Sequence, residues 1–419
     1  MQNYKTIWYE EEYQYLCLLK LSYKYHIMKK LLCSAVVLLA FLPLVAQTYY
    51  VDSKNPQVLR HAELVDAHRT EIFLPMVNGY NVYKADLHTH TLYSDGSVMP
   101  SFRVQEAWQQ GLDIIAITDH LESRRTEEVM VKYLEKYVSD EYPEAINTFI
   151  ALEPTPVGSI MVDLNFGIKA VQKEAEKYGL VVIPGGEISR CGATIGHFNA
   201  LFIEDCNAIY DPDPLTSIRN AKKQGALVMH NHPGYRRTNI DFSEVEKQAY
   251  EEGLFDGVEV MNGSSFYPGV IDRVQDRGLF IAACTDVHGA NKYNAFERPM
   301  TLILAKDKSL ESIREALEAR RTLAMGFNTV SGDEQLLKDF FKAGVKVEVI
   351  RKSSSGTELL LTNTTPITYL IRQDGVNQKR ITPSTSILIK AGKGQTSLSF
   401  EVLNMFCRSD KHPVMEYEF

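Results

Sequence analysis

Short apolar runs alternate with amphipathic stretches from about Tyr80 to Ala305, and this order constrains the fold more than any other feature. The runs are rich in Val, Ile, Leu and Phe and do not alternate with polar residues, which is typical of strands buried on both faces. Repeated strand–helix units predict a parallel sheet, and their number favours closure into a barrel. The predicted strands are Asn81–Leu87, Asp113–Thr118, Leu180–Gly185, Phe198–Ile203, Ala226–Met229, Gly257–Met261, Phe280–Cys284 and Thr301–Ala305. The predicted helices are Ser101–Gln110, Gly167–Tyr178, Leu215–Lys223, Phe242–Glu251 and Leu310–Arg320.

The pattern changes after about Ser331. Short alternating runs follow, separated by turns rich in Ser, Asn, Gly and Pro, which predict a small antiparallel β-domain of the sandwich type. These runs are Val345–Ile350, Glu358–Thr362, Tyr369–Gln373, Ser386–Lys390 and Thr396–Val402. We therefore predict an α/β barrel domain over residues 48–333 and an all-β domain over residues 334–419.

The N-terminal segment differs from the rest of the chain. The basic stretch Met28-Lys29-Lys30 precedes an apolar run over Leu31–Ala46 that ends in a small residue. A basic start, an apolar core and a small residue near the exit are typical of a secretory signal peptide. We predict a signal peptide over residues 28–47, a non-native or disordered extension over residues 1–27, and a protein exported to the periplasm or beyond, without an integral membrane anchor after cleavage. The alternative is a membrane helix that is retained.

Composition narrows the class of partner. The chain has 419 residues and a net charge of −8, whereas nonspecific nucleic-acid binders usually present a basic face. An acidic protein can still bind a small anion, because bound metal ions dominate the local field. The cysteines beyond residue 47 form no CxxC pair, which argues against a zinc knuckle. A small anionic substrate is therefore compatible with the composition, no specific nucleic-acid partner is expected, and the oligomeric state stays open.

Histidines are concentrated at the ends of the predicted strands. Seven of the eleven lie in the barrel region, beside acidic or glycine-rich residues: His88, His90, His120, His197, His230, His232 and His288. The C-terminal ends of parallel barrel strands converge on one face, where active sites form. Histidine with Asp or Glu, and no thiolate, suits zinc, manganese or iron better than magnesium.

This pattern predicts a metal centre. A lone histidine on an apolar strand is usually a satisfied core residue, but the whole set is not explained in that way. The predicted ligands are His88, His90, Asp95, His120, Glu187, His197, His232, Asp286 and His288. For His230 two roles are open: it supports the ligands from behind or it faces the substrate. Asp86 and Asp119 are candidates for orienting the ligands.

Five ordered motifs resemble those of the PHP family, named for the polymerase and histidinol phosphatase domains. They are Asp86–Gly96, Thr118–His120, Gly186–Ser189, His232–Gly234 and Thr285–His288. The resemblance covers roughly residues 80–310. It implies a distorted barrel of seven strand–helix units and a trinuclear metal site. We expect two or three divalent ions (Mn, Fe or Zn) as cofactors.

The resemblance also implies how the ligands are shared. His88, His90, Glu187 and Asp286 would hold one ion, and Asp95, His120 and His288 a second. Glu187, as a bridge, would hold a third ion together with His197 and His232.

These features together predict an exported metal-dependent phosphoesterase. It would hydrolyse a small phosphate mono- or diester, of nucleotide or sugar phosphate type, with a metal-activated hydroxide. The predicted catalytic residues are Glu187, Asp286 and His288. The predicted substrate-binding residues are Arg124, Arg190, Arg236 and His230. The segment Leu121–Asn165 is too long for a plain connection and is expected to be an insertion beside the site.

Two alternative functions stay open at this point. One is an amidohydrolase-like enzyme that cleaves C–N or carboxylic ester bonds, although no lysine occupies the expected strand end. The other is a metal-binding or interaction protein without catalytic activity.

Overall fold

The computed structural model describes residues 50–51, 57, 60–61, 68–121, 150–151, 160–161, 164–189, 196–211 and 213–419. The chain divides into two compact units, residues 1–67 and 68–419. In the first unit, strand β1 (Tyr50–Val51) pairs antiparallel with β2 (Arg60–His61). The predicted signal peptide and the extension before it lie outside the described residues. Within the described ranges, no helix is long and apolar enough to cross a membrane.

The second unit contains the remaining described elements. The strands are β3 (Asn81–Asp86), β4 (Ile114–Ile117), β5 (Ile150–Ala151), β6 (Ile160–Met161), β7 (Val181–Ile188), β8 (His197–Leu201), β9 (Leu227–Asn231), β10 (Gly257–Asn262), β11 (Ser265–Phe266), β12 (Phe280–Cys284), β13 (Met300–Ala305), β14 (Thr322–Gly326), β15 (Thr329–Gly332), β16 (Val345–Ser353), β17 (Gly356–Asn363), β18 (Tyr369–Gln373), β19 (Asn377–Ile381), β20 (Ser386–Ala391), β21 (Ser397–Val402), β22 (Met405–Phe406) and β23 (Val414–Glu418). The helices are α1 (Pro100–Gln109), α2 (Phe166–Glu176), α3 (Cys206–Ile209), α4 (Pro214–Lys223), α5 (Glu244–Glu251), α6 (Pro268–Arg277), α7 (Leu310–Glu318) and α8 (Glu334–Gly344).

A curled twelve-stranded sheet forms the barrel. Its order is β11-β10-β9-β8-β7-β4-β3-β13-β14-β15-β22, and β12 pairs with β10. Past the end of β3, Thr89 forms a parallel bridge with Val287, which follows β12. The strands β3, β4, β7, β8, β9, β10 and β12 therefore surround one interior, which confirms the predicted distorted α/β barrel.

The sheet is not wholly parallel, and this part of the prediction is wrong. Strand β8 runs antiparallel to both β7 and β9, and β13 runs antiparallel to β3. Residues 189–196, between β7 and β8, are too few for a parallel crossover, which needs about a dozen residues. The beginning of β8 consequently lies at the same edge as the ends of β7 and β9, where His197 pairs with Asn231.

Local signals explain where several helices begin. Pro100, Pro214 and Pro268 each occupy the first turn of a helix, where the missing N–H is not needed. Helix α5 begins with a capping box between Ser243 and Glu246. Helix α6 was not predicted, although it buries an apolar stripe against the sheet.

An apolar cluster fills the barrel below the end that carries the histidines. Leu87, Ile114, Met229 and Phe280 are fully or almost fully buried in it, and α7 contributes further residues. The ring of Phe280 lies so close to Gly257 that a Cβ there would be 2.2 Å from it. The strand ends above this cluster are thus held on a dry, closely packed base.

The C-terminal region begins with α8, a helix that was not predicted, and is all-β after it, as predicted. It contains the antiparallel sheets β16-β17-β20 and β19-β18-β21-β23, of which β19 and β23 were not predicted. Strand β22 pairs in parallel with β15 and so extends the barrel sheet. Leu337, Phe340 and Phe341 of α8 are fully buried. The division between residues 333 and 334 stays a prediction.

Candidate metal centre

The predicted ligands converge at one end of the barrel. His88 and His90 follow β3, His120 follows β4, and Asp286 and His288 follow β12. Glu187 lies within β7, His197 begins β8, and His232 follows β9. The reversed direction of β8 is the reason that a residue at the start of a strand joins residues at the ends of others. All nine predicted ligands lie in the described part of the chain, and their side chains meet.

Glu187 is the centre of this arrangement. The side chain is fully buried, and Asn231 Nδ2 donates a 2.8 Å hydrogen bond to Oε1. The histidine nitrogens around its carboxylate are His120 Nδ1 at 2.7 Å, His197 Nδ1 at 3.2 Å, His88 Nε2 at 3.4 Å, His90 Nε2 at 3.6 Å and His232 Nε2 at 3.6 Å. One carboxylate therefore reaches residues from both sides of the site and is placed to bridge neighbouring ions.

Two aspartates complete the arrangement. Asp286 Oδ1 lies 3.1 Å from His90 Nε2 and 3.3 Å from His88 Nε2. Asp95 Oδ1 lies 3.1 Å from His288 Nε2 and 3.5 Å from His120 Nε2. Three groups could each hold an ion: His90–Asp95–His120–His288, His88–His90–Asp286 and His88–Glu187–His232. These groups overlap the sets implied by the family resemblance, except that His197 belongs to none of them.

Several buried polar atoms in the site lack a hydrogen bond. Among the described residues these include His90 Nδ1, Asp95 Oδ1, His120 Nδ1 and Glu187 Oε2. The last two atoms approach to 2.7 Å without the geometry of a hydrogen bond. Buried polar atoms are rarely left unpaired in native proteins. Divalent cations among these atoms would satisfy them, so the residues present fit a metal centre.

The electrostatics favour cation binding. Burial and the charge of His120 lower the pKa of His90 to about 4, so this imidazole is neutral at pH 7 and has a lone pair available. Burial would also lower the pKa of His120, but the charges of Glu187 and Asp95 outweigh it and raise the pKa to about 9. An ion at His120 must therefore displace a proton, and binding should be weaker at acid pH.

Among the described ligand candidates, His288 and Asp286 are the most exposed and mark the opening of the site. The side chain of His288 is 39% exposed and that of Asp286 is 18% exposed, whereas those of His88 and His90 are fully buried. His288 Nδ1 donates to the carbonyl oxygen of Asp286, because a carbonyl only accepts. In the neutral form of His288 the lone pair is therefore on Nε2, which lies 3.1 Å from Asp95 Oδ1. A substrate would reach the site at this opening.

Comparisons with known proteins agree with this geometry. A PHP domain model matches residues 86–264. A two-domain protein from Bacteroides vulgatus, which contains a predicted PHP-like metal-dependent phosphoesterase, is 31% identical to this chain. The match covers 84% of this chain and 99% of that one, with a TM-score of 0.71. The chain belongs to the PHP family. The predicted resemblance is thereby confirmed, and the chain has the PHP-like metal-dependent phosphoesterase fold.

More distant structures also match. One is a protein from Bifidobacterium adolescentis proposed to be a metal-dependent phosphoesterase, with 16% identity, coverage of 56% and 95% of the two chains, and a TM-score of 0.36. Another is an amidohydrolase from Chromobacterium violaceum, with 13% identity, coverage of 50% and 88%, and a TM-score of 0.33. No curated protein matches the chain.

Two acidic residues within the PHP motifs, Asp86 and Asp119, orient the loops that carry the ligands. Asp119 accepts hydrogen bonds from the backbone and hydroxyl of Thr91 and from Ser94, each at 2.7 Å, and so holds the loop before Asp95. Asp86 is fully buried, pairs with Arg298 at 2.6 Å, and accepts from the backbone N–H of His88. The predicted orienting role therefore agrees with their contacts.

Two supporting residues of the PHP site were not predicted. Arg103 of α1 is fully buried and donates to the carbonyl oxygens of His90, Val287 and Gly289, which ties two ligand loops together. No sequence signal distinguishes it from a surface arginine of an amphipathic helix. Glu259 of β10 is also fully buried, and its acidic side chain on a strand buried on both faces is a signal that could have identified it.

His230 does not face the site, which contradicts its predicted contact with substrate. Its Nε2 lies 2.7 Å from Glu246 Oε1 and its Nδ1 lies 3.2 Å from the hydroxyl of Tyr250, so both nitrogens are engaged on the side of α5. The ring also stacks against Phe255. Successive residues of a strand point to opposite faces, so Asn231, not His230, reaches the interior and contacts Glu187.

The predicted arginines have different outcomes. Arg236 lies on the exposed loop after β9, and its guanidinium is 5.1 Å from the ring of Tyr235, which in turn packs beside His232. Its contact with substrate stays a prediction. Arg124 and Arg190 lie outside the described residues. The predicted insertion at residues 121–165 is described only at Leu121, at the paired strands β5 and β6, and at residues 164–165.

Proposed function

We propose that this PHP protein hydrolyses a small phosphate mono- or diester, of nucleotide or sugar phosphate type, with two or three bound Mn, Fe or Zn ions. The observation that carries the proposal is the presence of three possible ion-binding groups at one end of the barrel. The group His88–His90–Asp286 shares His90 with one of the other groups and His88 with the other. Adjacent ion sites suit phosphate esters, because two ions can hold the attacking and leaving oxygens together.

The residues of the chain have separable tasks in such a reaction. Bound ions would activate water and offset the negative charge of the phosphoryl group. Glu187 contacts the imidazoles of several ligands through one carboxylate. Arg103 holds together the loop that carries His90 and the loop that carries Asp286 and His288. Asp286 and His288 line the opening, so we assign to them the proton of the leaving group. We also assign to Arg236, on the exposed loop after β9, the pairing with a phosphate oxygen.

The substrate and location complete the proposal. A net charge of −8 supports a small anion that binds to metal ions better than it supports a nucleic-acid partner. We propose that the protein is exported, because residues 28–47 have the pattern of a signal peptide.

The test combines elemental analysis with activity measurements on the purified protein. We expect two or three ions per chain, release of phosphate from members of an ester panel, and loss of activity on chelation. Glu187→Gln should lose turnover and metal content. Glu246→Gln is the matched control, because it also changes a buried carboxylate that contacts histidine but lies outside the site.

Two results would contradict the proposal. Bound metal without hydrolysis of any phosphate ester would keep the metal centre and refute the reaction. No more than one ion per chain after reconstitution would refute the metal centre itself.

A further inference from the structure

Glu259 is a buried carboxylate in direct contact with two of the proposed ligands. It lies on β10 and is fully buried. Its Oε1 is 2.8 Å from His88 Nδ1, and its Oε2 accepts a 2.7 Å hydrogen bond from the backbone N–H of His232. Asn262 Nδ2 donates to the same Oε2 at 2.9 Å. One side chain thus connects residues that follow β3 and β9.

The contact with Glu259 determines the form of His88. An ionised carboxylate only accepts, so His88 Nδ1 must carry the hydrogen in this pair. The lone pair of a neutral His88 is then on Nε2, which faces Glu187 at 3.4 Å and Asp286 at 3.3 Å. Such a contact fixes both the tautomer and the orientation of a metal-binding imidazole.

The second contact of Glu259 holds a strained backbone. His232 has a φ of 26°, which is unusual for a residue with a side chain. Such a conformation persists only where the surrounding structure holds it in place. The hydrogen bond from its N–H to Glu259 provides this constraint, and the His232 ring is thereby directed to within 3.6 Å of Glu187.

We propose that Glu259 is a positioning residue that selectively maintains the ion-binding group His88–Glu187–His232. This inference rests on the proposed metal centre. Two of the three members of that group contact Glu259 directly. His88 also belongs to the group His88–His90–Asp286, whereas within the described residues no member of His90–Asp95–His120–His288 forms a hydrogen bond to Glu259. Loss of Glu259 should therefore first weaken the ion at His88–Glu187–His232, where it contacts two members, and should spare the ion at His90–Asp95–His120–His288.

The chain provides a matched control in a second buried Glu–His pair. Glu246 Oε1 lies 2.7 Å from His230 Nε2, and both side chains are fully buried. This pair resembles Glu259 and His88 in chemistry and burial, but His230 belongs to none of the ion-binding groups. Glu246→Gln therefore reproduces the loss of a buried charge without touching a proposed ligand.

The experiment compares metal retention in the wild-type protein, Glu259→Gln and Glu246→Gln. Each metal-loaded protein is dialysed against a graded series of chelator concentrations, and the ions per chain are counted by elemental analysis. In Glu259→Gln we expect one ion to be lost at about 10- to 100-fold lower chelator strength, with the remaining ions retained. Glu246→Gln should retain its ions as the wild-type protein does.

The inference is overturned if Glu259→Gln keeps every ion as tightly as the wild-type protein, or if all ions leave together. Circular dichroism checks that each variant is folded. If Glu259→Gln does not fold, Glu259→Asp gives the same test. The shorter side chain keeps the charge but cannot reach both His88 Nδ1 and the backbone N–H of His232. Phosphate release is measured separately. A protein that loses one ion as expected but never hydrolyses an ester would refute the proposed function and leave the role of Glu259 standing.

Discussion

Replacement of Glu246 by Gln should lower the free energy of unfolding by about 3 to 4 kcal/mol at pH 7. Glu246 is fully buried at the third position of α5 and closes the capping box with Ser243. Arg237 donates to both carboxylate oxygens at 2.8 Å, and His230 lies 2.7 Å away. Gln keeps the shape of the side chain but removes the charge that these groups surround.

The magnitude follows from the acidity of the carboxyl group. Burial alone would raise the pKa of Glu246, but the hydrogen bonds from His230 and Arg237 outweigh it and lower the pKa to about 2, against an ordinary value of 4.5. This difference in pKa corresponds to about 2.5 powers of ten in proton affinity, and each power of ten corresponds to about 1.4 kcal/mol of stability. Because the folded-state pKa is the lower one, the stabilisation is complete above pH 4.5 and is lost as the pH falls towards 2.

The assay is urea unfolding of chelator-treated wild-type protein and Glu246→Gln at a series of pH values from 7 to about 3. The difference in unfolding free energy should be largest near neutral pH and should shrink as the medium becomes acidic. Burial lowers the pKa of His230 in the wild-type protein and in the variant alike. The cost of burying this histidine therefore largely cancels when the two unfolding free energies are subtracted. Metal content and turnover of the loaded variant should be unchanged.

A difference that stays constant from pH 7 to 3 would refute this reasoning, because it would show that the contact does not depend on the charge. A difference below about 1 kcal/mol at pH 7 would show that burial offsets the ion pair.

Three other changes test one predicted ligand and two supporting residues. Arg298→Met should lower the unfolding free energy by about 3 kcal/mol, measured with denaturant, because it leaves Asp86 buried without its cation; an unchanged midpoint would show that the other hydrogen bonds of Asp86 suffice. Asp95→Asn should weaken binding of the ion at His90–Asp95–His120–His288, as measured by chelator titration. Weaker binding at His88–Glu187–His232 instead would contradict the assignment of Asp95 to the first group. Arg103→Lys should reduce kcat about 10- to 100-fold with metal content unchanged, because one ammonium cannot hold all three carbonyl oxygens; a wild-type kcat would show that the loops do not need this tie.

The predicted strands and ligands agree with the structure where the evidence was local. Each of the predicted barrel strands overlaps an observed strand, because a run of Val, Ile and Leu buried on both faces has a distinct composition. The direction of β8 could not be predicted in this way, because an apolar run reads alike in a parallel and an antiparallel strand. Pairing with β7 and β9 decided it, and this pairing also brought His197 to the site.

The distinction between His230 and His232 shows a second limit. Neighbouring residues of a strand point to opposite faces of the sheet. An error of one residue in the strand end therefore decides whether a side chain is assigned to the interior or to the exterior of the barrel. The predicted strand ended at Met229, whereas β9 continues to Asn231. His230 is therefore still part of the strand and points to α5.

The sequence by itself predicted the resemblance to the PHP family, the approximate positions of the barrel strands and the candidate ligands, because each depends on residues close together in the chain. Only the tertiary structure decided which ligands share an ion-binding group and which residues orient them. Glu259, Arg103 and Glu187 act on partners from other strands or loops, and such contacts depend on distances that arise when the barrel closes. A short segment of sequence carries no information about those distances.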